Sequence, residues 1–179
     1  MLESSKRYEL LVRPLGRTAA DEYFHQGNVW IEGRDGNEYV IELKNYTSSP
    51  AVFIVSIDGY CIRDGQLAGP KSPGLVIAPK SSYQLSTWQL PDGNNDNLIF
   101  GRKNSNNLQA GVIGALIFDV ADNHQNSTNF TNQVAHPSAI IAVYYNSLKN
   151  LQKMGINVRT KRNVNYTASA FPLYDDNNK

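Results

Sequence analysis

The chain has 179 residues, and its 17 basic side chains nearly balance 16 acidic ones, for a formal net charge of +1. That length suits one domain, or one domain with an appendage, and a chain of this order buries about 70% of its unfolded surface without covalent staples. The near-neutral balance gives no long-range attraction toward nucleic acid or anionic lipid, and the single cysteine, Cys61, excludes an intramolecular disulfide.

Residues 8–13, YELLVR, read as a first strand stopped by Pro14. Residues 14–27 form a linker with Gly16 and Gly27, so 1–27 is an N-terminal strand and arm. NVWIEG, the turn Arg34-Asp35-Gly36-Asn37 and EYVIELK follow. In the last of these Tyr39, Ile41 and Leu43 alternate with Glu38, Glu42 and Lys44, the period of a half-buried strand. The pair 28–44 is therefore predicted to be a hairpin. Residues 51–58 read as a buried strand, its continuous run Val52, Phe53, Ile54 and Val55 buried on both faces, closed by Asp58-Gly59 and, six residues on, Asp64-Gly65. Each Asp-Gly supplies the positive φ that a tight reversal needs. Cys61, beside this strand, reads as a small core hydrophobe.

QLAGPKSPG is an irregular loop, LVIAP (75–79) a short strand, SYQLSTW (82–88) an alternating one, and 98–100 a further short strand. AGVIGALIFDV (110–120) is a second strongly apolar strand, in which Gly114 marks a close backbone approach or a bulge. Twenty asparagines, clustered at 94–107 and 123–132, mark long loops, because Asn tolerates the left-handed conformation and caps turns. Seven or more short strands with regular turn signals predict a mainly β fold, an antiparallel β-sandwich or jelly-roll-like barrel with its core at 28–120.

Residues 121–137 are a polar loop. Beyond it the period changes. Ser138 is a fair N-cap, Ile140, Tyr144, Leu148 and Leu151 recur at helical spacing, and Gly155 stands where a helix stops. One amphipathic helix is predicted over 139–154, packed on the sandwich or docking a partner. A β-prone tail follows, and Lys153, Arg159, Lys161 and Arg162 make a small basic cluster that lacks the aromatic interleaving of a nucleic-acid surface.

Reactive constellations are sparse. The oxygen-rich loop 92–97 has Asn97 and Lys103 where an EF-hand needs Gly and Glu. His25, His124 and His136 show no metal-ligand spacing, so no metal or cofactor is expected. No GxSxG is present, and Cys61 has no nucleophile signature. Asp58 and Asp64 could be imagined as a glycosidase pair, but each precedes Gly, where bonding within a turn accounts for it. No enzymatic activity is expected. The first residues, MLESSKRYELLVRP, carry no apolar run of signal-peptide length and no stretch approaches a membrane span, which suggests synthesis and assembly in the cytoplasm.

The segment from 28 onward resembles a β-rich family whose members carry an EGR-G-EY hairpin ending in Asn, then a VSVDG strand-turn and a second DG. The matching residues are Glu32-Gly33-Arg34, Gly36, Glu38-Tyr39, Asn45, Ser56-Ile57-Asp58-Gly59 and Asp64-Gly65. The similarity continues through PGLVIAP, Trp88 and GVIGALIFDV, and covers about 28–120. The chain departs from the pattern at Thr87, where Gly would precede Trp88, and at Gln66, where Lys is usual. Such proteins occur among bacterial proteins of unknown role and in virus-encoded sets, phages included. The resemblance implies a β-sandwich module with no catalytic motif and a virion structural role.

The expected function is that of a non-enzymatic virion subunit, a minor capsid, cement or decoration protein binding neighbouring capsid proteins as part of a large assembly put together in the host cytoplasm. Trp30, Tyr144, Tyr145, Arg159, Lys161 and Arg162 are the expected partner contacts. The alternative is a glycan- or cell-surface-binding module using loops 66–74, 91–107 and 121–137 near Trp88.

Overall fold

The computed structural model describes residues 1–2, 5–89, 93–101, 111–120 and 136–158. The fold is mainly β and consistent with a β-sandwich. One layer is a three-stranded antiparallel sheet of order β1-β4-β8, formed by β1 (Tyr8–Pro14), β4 (Tyr39–Asn45) and β8 (Ser81–Leu85). The other has seven strands. Its order is β2 (Glu22–His25), β3 (Asn28–Glu32), β12 (Ala139–Asn146), β11 (Val112–Asp119), β5 (Ala51–Ile57) and β6 (Tyr60–Cys61), with β7 (Leu75–Ile77) also paired to β5. Its pairs are antiparallel except β3 with β12. A small hairpin joins β9 (Thr87–Gln89) to β10 (Asn95–Asn97).

Alternation builds the core. Tyr8, Leu10 and Val12 of β1 and Tyr39, Ile41 and Leu43 of β4 point inward, against Phe53, Val55, Ile113, Ile117, Ile141 and Val143 of the large sheet. β5 is buried along nearly its whole length on both faces, as its unbroken apolar run requires. Asn45 is the main polar intruder, 1% exposed. Its Nδ2 donates to the carbonyls of Ser49, Ile77 and Ala78 while its Oδ1 accepts from the amide and hydroxyl of Thr47, so burial costs it little.

Two expectations are corrected. The stretch 28–44 is not a hairpin: β3 belongs to the large sheet and β4 to the small one, so the turn at Arg34–Asn37 carries the chain between layers. Gly33 permits this crossing, because a Cβ there would lie 2.7 Å from the Phe100 ring and 2.8 Å from that of Tyr145. The helix predicted over 139–154 is a strand for its first half. Ile141, Val143 and Tyr145 alternate with Ile140, Ala142 and Tyr144, and β-branched and aromatic side chains suit that pleat. Only α1 (Leu148–Lys153) is helical, with Ser147 at its N-cap. It ends as foreseen at Gly155, φ +81°, where the Gly155 and Ile156 amides bond back to Gln152 and Leu151. The expected tail lies outside the described residues.

Candidate functional site

The outward faces of the two sheets differ in kind. On the small sheet Glu9, Arg13, Glu42 and Lys44 project outward and form the ion pairs Arg13–Glu42 and Lys44–Glu9, each 3.3 Å. That is an ordinary solvated surface. The large sheet presents Val112, Gly114, Leu116 and Phe118 on β11 beside Ile140, Ala142 and Tyr144 on β12, with Val52, Ile54 and Ser56 on β5. None of these is charged. Val52, Ile54, Phe118 and Val120 form a buried cluster at one end. Toward the other, Ile140 is 64% exposed, and Leu116, Tyr144 and Trp30 are half-buried. Parallel pairing sets Tyr144 directly beside Trp30, with ring centroids 5.0 Å apart, and Tyr23 flanks Trp30 on the edge strand β2. The Trp30 indole N–H has no hydrogen-bond partner among the described residues.

A cleft of about 300 Å³ lies near the end of β5. Its walls include Tyr39, Asp58, Tyr60, Trp88 and Asn97, with Ile57, Leu98 and Ile99. Asp58 and Gly59 are the two residues of the β5–β6 reversal, at φ +52° and +84°. The turn explains the backbone but not the burial of Asp58, which is 7% exposed. Its carboxylate accepts the Gly111 amide at 2.6 Å and the Val112 amide at 3.2 Å, and the Tyr145 hydroxyl donates to it at 2.7 Å. One side chain thus ties together the ends of β5, β11 and β12. Tyr39 stacks on Phe100 at 4.2 Å, and Phe100 packs on Tyr145 at 5.3 Å, forming an aromatic row behind the cleft. Burial first, then the hydrogen bond and charge of Asp58, push the Tyr145 hydroxyl far above the ordinary phenol value. Burial, with the Asp58 charge added, does the same to Tyr39. Both phenols are held neutral.

Of the expected partner contacts, the structure brings Trp30 and Tyr144 together on the outward face. Tyr145 is corrected: it is 3% exposed and turns inward to Asp58, because adjacent strand residues face opposite sides. Arg159, Lys161 and Arg162 lie outside the described residues, as do His124, most of the expected ligand loop 121–137 and part of 91–107, whereas loop 66–74 is described. Cys61 is buried, and burial raises its thiol pKa, which disfavours a reactive thiolate. Among the described residues no group of three His, Cys, Asp or Glu could hold a metal ion, and no helix is long and apolar enough to cross a membrane. Sequence reasoning missed the Asp58–Tyr145 tie and the convergence of Tyr39 and Trp88. The only signal was Tyr39 at an inward position of β4, facing a turn that the local Asp-Gly motif already explained. Comparison with family models, curated proteins and solved structures returns no match.

Proposed function

We propose that this chain is a non-enzymatic structural subunit of a virus particle, a minor capsid, cement or decoration protein, attached to neighbouring capsid subunits by the outward face of its large sheet. One observation carries the docking part: the contrast between the charged outer face of the small sheet and the largely apolar, partly exposed outer face at Trp30, Leu116, Ile140 and Tyr144, where the charge on β3 is Glu32, paired with Arg34. A sheet face left to water alternates to polar residues; one that meets another surface does not. Paired aromatics beside an exposed aliphatic residue form the kind of patch that dominates interface energetics. Specific attachment needs about 800 Å² from each partner, and one sheet face can supply it. The virion setting rests on the resemblance over 28–120.

The test is mass spectrometry of purified particles, followed by incorporation of two variants, Ile140→Asp and Trp30→Ala. The chain is expected in particles; Ile140→Asp is expected to fold with a near-parental thermal midpoint and Trp30→Ala with a lowered one, since it loses its packing on Tyr144, and both are expected to be depleted from particles. Lack of the chain from particles, or normal incorporation of both variants, overturns the proposal.

A further inference from the structure

We propose that the cleft formed by Tyr39, Asp58, Tyr60, Trp88 and Asn97 binds a neutral saccharide, one sugar ring at a time. Five observations converge. Tyr39 is 3% exposed and lines the cleft, and no hydrogen bond from its hydroxyl is found among the described residues. The hydroxyl is not one of the fully enclosed unpartnered atoms, so it opens on the cleft, where a sugar hydroxyl can replace water as its hydrogen-bond partner. The half-buried Trp88 and Tyr60 add aromatic surface on which the C–H face of a pyranose can lie. The Asn97 carboxamide stands at the exposed rim, where its Nδ2 donates to Glu38, which fixes it as a polar contact. No Lys or Arg is among the described residues lining the cleft, whereas Asp58 is, so a phosphate or carboxylate ligand is disfavoured. The volume, about 300 Å³, is at the lower end for ligand pockets and suits a single ring.

This site is separate from the docking face. Its residues lie at the turn end of β5 and between the sheets, and none is on the outward face of β11 or β12. The two proposals therefore fail independently.

The experiment uses the full chain with free D-glucose, D-galactose, D-mannose and N-acetyl-D-glucosamine, read by saturation-transfer NMR and by tryptophan fluorescence. Tetramethylammonium serves as a competing cationic probe, since aromatic walls also suit quaternary ammonium groups. At least one sugar is expected to bind saturably. Tyr39→Phe keeps the ring stacked on Phe100 and removes only the hydroxyl; it is expected to weaken binding about three- to tenfold while leaving the thermal midpoint unchanged or raised. Trp88→Ala is expected to weaken binding more than Tyr39→Phe does. Failure of every sugar to saturate, parental binding by Tyr39→Phe, or binding of tetramethylammonium in preference to all four sugars overturns the proposal.

Discussion

Replacing Asp58 by Ala tests whether one buried carboxylate holds three strand ends together. The Gly111 amide at 2.6 Å and the Tyr145 hydroxyl at 2.7 Å both lose their acceptor. Each orphaned buried donor costs about 1–3 kcal/mol. Alanine must also adopt the φ of +52° that Asp58 now holds, at roughly 1–2 kcal/mol. The expected loss is about 4 kcal/mol, well beyond that of an ordinary substitution. Asp58→Asn keeps the shape and the tolerance for positive φ, and its amide can donate to the Tyr145 oxygen, so it is expected to cost only about 1 kcal/mol. The two contributions separate in a double-mutant cycle. Tyr145→Phe alone removes one donor and leaves Asp58 its backbone bonds; in the Asp58→Ala background it removes a hydroxyl that has already lost this acceptor. The cycle should therefore show a coupling of about 1–2 kcal/mol. The assay is urea unfolding followed by tryptophan fluorescence, with an unchanged slope confirming that only stability moved. A loss below about 1 kcal/mol for Asp58→Ala, or additivity within about 0.5 kcal/mol, refutes the tie.

Asn45→Ala removes the donor to three carbonyls and the acceptor of the Thr47 amide, and urea unfolding should show a loss of about 2–4 kcal/mol; a loss under about 0.5 kcal/mol would show these groups to be served by water. Alkaline pH should unfold the protein. The Tyr8 phenol is raised from 10.0 to about 12 by burial first and then by its hydrogen bond to Asp119, and Tyr39 and Tyr145 move the same way. The fold favours the neutral phenol, so this stability is whole below 10.0 and drains as pH rises toward 12 and beyond. Phenolate absorbance should show these tyrosines lagging behind the exposed ones, and uniform titration with no loss of stability would contradict it. Cys61, buried with its Sγ 3.6 Å from the Pro73 carbonyl, should resist a thiol reagent in the native protein and react once denaturant is added. Rapid native labelling would place it in a more open site.

Much of the architecture was legible because it is written locally. The unbroken apolar run of β5 can only be buried on both faces, and the alternation of β4 assigns Tyr39, Ile41 and Leu43 to the core without reference to any partner. The failures share a cause. Pairing is decided by distant residues: β3 takes β12 from the far end of the chain rather than β4 from seven residues away, and no local signal at Arg34–Asn37 separates a hairpin turn from a crossing between layers. Over 139–146 the two periods coincide. Ile140 and Tyr144 share a face whether the chain is helical or extended, since a spacing of four is compatible with both. The helical reading then assigned neighbouring Tyr144 and Tyr145 to one surface, whereas the pleat sends one outward to Trp30 and the other inward to Asp58. The cleft was hidden for a related reason: Tyr39, Asp58 and Trp88 are far apart in sequence, and each has a sufficient local explanation.

Several residues of the motif on which the proposed resemblance rests are ones the scaffold needs. Gly33 makes room for Phe100 and Tyr145, Asn45 fastens the turn after β4 to the end of β7, and Asp58-Gly59 reverses the chain and ties three strand ends. A motif of this kind specifies the two-layer frame and leaves the exposed surfaces unspecified. What distinguishes this chain must then lie at positions the motif does not cover. Trp30 is within 28–120 but outside the matching residues, and Ile140 and Tyr144 lie beyond that range altogether, yet the sheet sets the three on one outward face. Frame and surface are therefore separable. Substitutions at Gly33, Asn45 or Asp58 should be read in unfolding experiments, whereas those at the exposed Ile140 should leave unfolding nearly unchanged and appear only when a partner is present. A large stability loss from Ile140→Asp would show that its outward position is already covered within the fold, and would move the docking surface elsewhere.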